Sequence, residues 1–180
     1  MEFKTTAKLF NRLYGFLIHI ESKPYEDKPV VAMANRCKDG MFVVFLDYER
    51  VKEEWVIDEA KRLQEQFRLG WFYVFRTGRG FHLVCVDKLP LRKLLEVMRE
   101  SSCDVLFMDV PITHGLRTWA LRVSEKDGKK PEFVWAVKSE WNVHRKSYAH
   151  IWFIKRLYGI CMDEQKHDGE KELIYVEYKV

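Results

Sequence analysis

Two carboxylates one residue apart, Asp47 and Glu49, finish the apolar run "FVVFLDYERV" at 42–51. The run suits a buried strand, in which residues i and i+2 point to the same side, so the two acids project together and repel. A pair placed this way calls for a cation between its members. A second stretch, "RTGRGFHLV" at 76–84, has the parts of an anion-binding turn. Thr77 supplies a hydroxyl, Gly78 and Gly80 let backbone N–H groups come close to an anion, Arg79 adds charge, and His82 lies just inside the following strand. The third stretch is "FMDVPITHGLRTWALRVSEKDG" at 107–128. Asp109 closes a short apolar run before Pro111, Arg122 falls on the next apolar run, and Ser124 and Lys126 follow it. Taken singly, each stretch also has a plain structural explanation: a solvated strand end, an ordinary hairpin, a strand-end cap.

The elements that must position these residues can be read from periodicity. Residues 41–48 form an apolar strand after a turn at "KDG" (38–40). In 51–67, Val51, Trp55, Val56, Ala60, Leu63 and Phe67 line one face of a helix that Gly70 is expected to end. The runs 71–76 and 81–86, separated by "TGRG", predict a hairpin, and Pro90 opens a helix over "PLRKLLEVMRE". Further strands are expected at 104–110, 117–123, 132–137 and 172–180, and helices at 5–20 and 147–160, with a loop at 21–29. Strand, helix, hairpin, helix, strand is the order of an α+β fold of RRM-like type, an antiparallel or mixed sheet with helices covering one face. No internal repeat, low-complexity tract or Gly/Ser linker interrupts it, so residues 1–180 are expected to form a single domain.

Composition narrows the class. With 180 residues, 47% of them hydrophobic, the chain can bury a sizeable core. A net charge of +4 tilts mildly toward polyanionic partners. The cysteines Cys37, Cys85, Cys103 and Cys161 form no C-x-x-C pair, which argues against structural zinc and for reduced thiols in a cytoplasmic protein. The N-terminus lacks a secretory pattern and no apolar run is long enough for a membrane span.

In their order along the chain, "FLDYE", "TGRGFH" and "MDVPIT…LRTWALRVSEKDG" resemble the archaeo-eukaryotic primase superfamily, the DNA primase small subunits and primase-polymerases. The likeness covers about 42–130. It implies a primase catalytic core and DNA-templated primer synthesis or extension by nucleotidyl transfer. It further implies that Asp47, Glu49 and Asp109 are catalytic ligands of two Mg²⁺ or Mn²⁺ ions. Thr77, Gly78, Arg79, Gly80, His82, Arg122, Ser124 and Lys126 would then contact the incoming nucleotide. The implied partners are single-stranded DNA template, an NTP or dNTP, and a second primase subunit or a helicase. Thr77 stands where the family usually has Ser, and "VSEKDG" is shorter than the family's third motif and lacks its His. The physics is compatible: two divalent ions about 3.5–4 Å apart stabilise both the attacking and the leaving oxygen of such a transfer.

Two other readings compete. A rolling-circle initiator shares an RRM-like sheet, but it needs an H-x-H pair where residue 84 is Val, and a Y-x-x-x-K helix where Tyr148 is followed by Trp152 and Tyr158 by Met162. A non-catalytic RRM-like nucleic-acid binder or accessory primase subunit would display aromatics on central strands. Such a protein would have no use for the carboxylates together with Arg79 and His82.

Overall fold

The computed structural model describes residues 30–160 and the short strand Ile18–Glu21. The expected helix up to residue 17, the loop at 22–29 and the strand at 172–180 lie outside the described residues. The elements in chain order are β1 (Ile18–Glu21), β2 (Val30–Ala34), β3 (Phe42–Glu49), α1 (Glu53–Phe67), β4 (Phe72–Arg76), β5 (Gly80–Leu89), α2 (Leu91–Glu100), α3 (Val105–Thr113), β6 (Ala120–Arg122), β7 (Glu132–Val137) and α4 (Tyr148–Tyr158). Among the described residues they make an α+β fold of four helices and two antiparallel sheets, ordered β3-β5-β4-β7 and β1-β2-β6.

The larger sheet takes its order from one crossover. Because β5 is antiparallel to both β3 and β4, those two strands run in the same direction with the second strand of the hairpin between them. Helix α1 makes the connection across one face, since a parallel return needs a crossover rather than a tight turn.

Alternation along β3 then divides the core. Phe42, Val44, Leu46 and Tyr48 pack with Val56, Ala60 and Leu63 of α1 and with Leu94, Val97 and Met98 of α2. Val43 and Phe45 face the other way, with Tyr73, Phe75, Val84 and Val86 of the same sheet, against Met33 of β2, Leu121 of β6, and Ile151 and Ile154 of α4. The sheet is thus covered on both faces, by two helices on one and by the smaller sheet and α4 on the other. The expectation of one helix-covered face is corrected to that extent. Asp47 and Glu49 extend the Val43–Phe45 row, so they project toward the smaller sheet.

Several elements differ from their expected form. Residues 104–110, expected as a strand, belong to α3 and the residue that caps it. Asp104 accepts a hydrogen bond from the Phe107 amide at 3.0 Å, and this N-cap sets an apolar run into a helix that apolar content alone reads as a strand. Residues 18–20, expected to end a helix, pair with β2 instead, the β-branched Ile18 and Ile20 alternating about His19. Helix α1 ends not at Gly70 but at Arg68, which takes a left-handed conformation (φ 54°) with its N–H on the Gln64 carbonyl. Gly70 instead allows a close polar contact. Its N–H donates to Asp87 Oδ2 at 2.7 Å, and a Cβ there would sit 3.0 Å from Asp87 Oδ1. Among the described residues no helix is long and apolar enough to cross a membrane.

Candidate functional site

One row of side chains crosses the larger sheet on the face turned toward β2 and β6. Asp47 of β3 is paired in register with His82 of β5, His82 with Phe75 of β4, and Phe75 with Phe133 of β7. Phe75 meets Phe133 edge-on at 5.8 Å between centroids and Tyr158 of α4 at 4.6 Å. The row therefore passes from an acidic end to an aromatic wall. Arg122 reaches it from β6, and a small cleft is lined by Met33, Phe75, His82, Leu121, Arg122 and Tyr158.

The electrostatics follow from this placement. His82 is 7% exposed, and its Nε2 lies 3.6 Å from Asp47 Oδ1, too far for a hydrogen bond. Burial, helped by the charge of Arg122, pushes its pKa down to about 3, so the imidazole is neutral at pH 7. Asp47 moves the other way. Burial first, then repulsion from Glu49 and from Asp104, raises its pKa to about 6, against the partial relief of a hydrogen bond from the Tyr48 backbone and of the charge of Arg122. Arg122 Nε is itself buried with no hydrogen-bond partner among the described residues. A neutral imidazole and an unsatisfied guanidinium nitrogen thus share one cleft, with a partly compensated acid in register beside the imidazole.

Asp109 is placed differently from its expected position. It sits exposed on α3, and the main charges acting on Asp47 are those of Glu49, Asp104 and Arg122. The carboxylate next to Asp47 is Asp104, whose amide donates to the Asp47 carbonyl at 2.8 Å. Sequence reading misses Asp104 because "CDVLFMDV" reads as one strand with Asp109 at its end. The N-cap pattern, an Asp just before an apolar run, is the signal that could have found it.

The glycine turn is built otherwise than expected. Thr77 Oγ1 accepts from the amides of Arg79 (3.4 Å) and Gly80 (3.0 Å), and the Thr77 amide donates to the Gly80 carbonyl at 2.8 Å. Two of the backbone donors expected to face an anion are therefore turned inward. Gly80 is required for a different reason: a Cβ on it would fall 1.8 Å from the Tyr48 carbonyl oxygen, so β3 and β5 approach each other closely just where Glu49 lies. Arg79 remains exposed at the tip.

Ser124 serves the fold as well. Its hydroxyl accepts from the Val31 amide at 2.9 Å and its amide donates to the Val31 carbonyl, joining the chain after β6 to β2. Lys126 is exposed and pairs with Lys129 across a two-residue turn in which Asp127 and Gly128 both have positive φ. Lys129 does not stand out in the sequence, yet its stem lies against Gly78, since a Cβ there would be 3.5 Å from Lys129 Cδ. The two turns bring Arg79, Lys126 and Lys129 to one rim.

The donor chemistry at Asp47, Glu49 and Asp104 is all carboxylate, with one neutral imidazole beside it, which suits Mg²⁺ or Mn²⁺ rather than a thiolate-seeking metal. Among the described residues no three such side chains already converge on one metal position. Mutual repulsion disfavours convergence until a cation offsets it. Cys37, Cys85 and Cys103 are buried free thiols. Comparison of the chain with family models, curated proteins and solved structures finds no match.

Proposed function

We propose that the protein is a metal-dependent nucleotidyltransferase that extends or synthesises primers on a DNA template, with an RRM-like catalytic core of the primase-polymerase kind. The observation that carries the reading is the in-register pair of Asp47 and His82 on adjacent strands, with Glu49 beside them and Arg122 facing them from the second sheet. The order β3-β5-β4 with α1 as crossover also suits an RRM-like unit. The strand that would normally follow α2 at the outer edge of β3 is replaced here by the segment ending at Asp104.

In this reading Asp47 and Glu49 hold the divalent ions. When bound, the ions would favour the nucleophilic form of the primer 3'-hydroxyl and offset charge on the phosphates. The chain's own groups do the positioning. Arg122, preset in a buried setting with an unsatisfied Nε, holds a phosphate oxygen without first having to give up a protein partner. Arg79, Lys126 and Lys129 at the rim draw in the triphosphate. His82, held neutral, donates or accepts a hydrogen bond without adding charge to a site that already has Arg122. Phe75, Phe133 and Tyr158 close off one side and exclude water.

The direct test is incubation of the purified protein with primed single-stranded template, labelled NTPs or dNTPs, and Mg²⁺ or Mn²⁺. Template-directed extension that is lost in Asp47→Asn supports the reading. Absence of product with either metal and either sugar, or wild-type activity in Asp47→Asn, overturns it. Arg122→Ala should raise KM for the nucleotide more than about tenfold, since a charge-assisted contact in a dry site is worth about 1.5–3 kcal/mol. Template binding without transfer would instead favour a non-catalytic accessory role, for which the exposed position of Asp109 is the supporting observation.

A further inference from the structure

We propose that the exposed apolar face of α3 is the docking surface for the chain's own N-terminal segment, residues 5–17. Helix α3 buries none of its residues. Val105, Leu106, Val110, Ile112 and, just beyond its end, Leu116 are all exposed, Leu106 at 72%. Half-buried Phe107, Met108 and Pro111 mark the side turned to the rest of the fold. So many exposed apolar side chains on one short helix mark a surface on which something packs. Asp109 falls inside that face: at 3.6 residues per turn it lies between Val105 and Ile112 on one side and Leu106 and Val110 on the other.

The path of the chain selects the occupant. Strand β1 runs antiparallel to β2, with Ile18 level with Met33, and Met33 is level with Leu121 of β6. The chain before Ile18 therefore leaves the smaller sheet at the end where Trp119 enters it, the Asn35 amide donating to the Trp119 carbonyl at 2.8 Å. Trp119 is also the link to α3, since its indole N–H donates to the Met108 carbonyl at 3.0 Å. Two strand spacings, about 10 Å, separate β1 from β6. Residues 5–17 lie outside the described residues, but their sequence has a matching pattern. Leu9, Leu13, Phe16 and Leu17 fall at i, i+4, i+7 and i+8, one face of a helix about 20 Å long. Arg12 flanks that face and supplies a cation for Asp109, the acid within the opposing face. Tethering makes the encounter intramolecular, at an effective concentration in about the millimolar range, which favours this segment over a second copy. Because α3 begins at the backbone contact of Asp104 with Asp47, docking there ties the start of the chain to the strand end beside the cleft. Docking of this kind holds whether or not the cleft transfers nucleotides.

The test is amide hydrogen exchange of the full chain, read by mass spectrometry, at several protein concentrations. The variants are the double substitution Leu106→Lys with Val110→Lys, and Asp109→Lys alone and with Arg12→Glu. All three α3 side chains are exposed, so the fold should survive, and unchanged exchange across β3 and β5 checks this. Exchange over residues 5–17 should rise about tenfold or more in the double lysine variant. It should rise about threefold in Asp109→Lys and return toward wild type when Arg12→Glu is added. Unchanged exchange over 5–17 in the folded double lysine variant overturns the proposal. So does a rise over 161–180 in its place, which would make the C-terminal segment the occupant. Protection of α3 that grows with protein concentration overturns it in favour of a second copy.

Discussion

Asp47 is held in a setting that disfavours its charge. Its pKa is raised to about 6, so the folded protein binds that proton more tightly than the unfolded chain, where the value is near 3.8. The penalty is absent below about pH 4, grows as pH rises, and is complete above about pH 6. We therefore expect Asp47→Asn, in chelator, to be more stable than wild type at pH 7.5 by about 1–3 kcal/mol. The difference should disappear at pH 4, as read by thermal melts across that range. A destabilised Asp47→Asn at pH 7.5 would show that the carboxylate is compensated within the protein after all. At this scale much of the site was legible. Asp47, Glu49, His82 and Arg122 could be singled out because alternation and spacing place polar groups where a strand should be apolar. Asp104 was missed because the apolar run after it reads as a strand ending at Asp109 unless the N-cap pattern is given weight.

Among the elements, the hairpin and the last helix carry the sharpest expectations. The β3–β5 approach at Gly80 leaves no room for a methyl group, so Gly80→Ala should destabilise the fold by about 2–3 kcal/mol. Gly78→Ala, which would meet only the flexible stem of Lys129, should change stability by about 0.5 kcal/mol or less. Denaturant unfolding of the two variants measures the contrast, and equal effects would contradict it. Helix α4 is tied to β2 through a buried chain: the Ser147 hydroxyl bonds His150 Nδ1 at 2.7 Å, and His150 Nε2 donates to the Ala34 carbonyl at 2.9 Å. Burial pushes the His150 pKa down to about 4. Its contribution to stability is complete above the unfolded value of about 6.5 and is lost as pH falls toward 4, about 3 kcal/mol in all. Asp47 acts in the opposite sense over nearly the same range, so the cleanest measurement compares the pH dependence of the melting temperature in His150→Gln with that of Asp47→Asn. A His150→Gln profile as steep as that of wild type would remove His150 as the source. The helices α1, α2 and α4 and the strand β7 were legible because their apolar spacing is long or strongly alternating. Strand β2 was not, since "VVAMA" is short and lacks alternation, and α3 was not, since it buries none of its residues and so has no face to read.

For the whole molecule, the proposed nucleotidyl-transfer reading leads us to expect extension rather than initiation. Starting a strand requires two free nucleotides held on a template at once, and their lost freedom must be offset by a second binding site. Among the described residues, Arg122 lines the cleft, and Arg79, Lys126 and Lys129 lie on two neighbouring turns. We expect the isolated protein to extend a primer far more readily than it makes dinucleotides on unprimed template, compared on one gel under identical metal and nucleotide conditions. Efficient dinucleotide synthesis would reveal a second nucleotide site. With a net charge of only +4, template binding should also weaken steeply with salt, since contact with phosphates is its main source.

The in-register pairing of Asp47 with His82 has a consequence for error during folding. Side chains on a strand change faces with every residue, so a slip of β3 by one position would press Asp47 and Glu49 into the apolar layer beneath α1 and α2. The same slip would turn Leu46 and Tyr48 out into the cleft. Those two side chains would leave the core together, at about 1.5–3 kcal/mol each. A misaligned cleft is thus not a slightly distorted site but an unfolded chain, and the oily residues beneath the sheet act as proofreaders of acids they never touch.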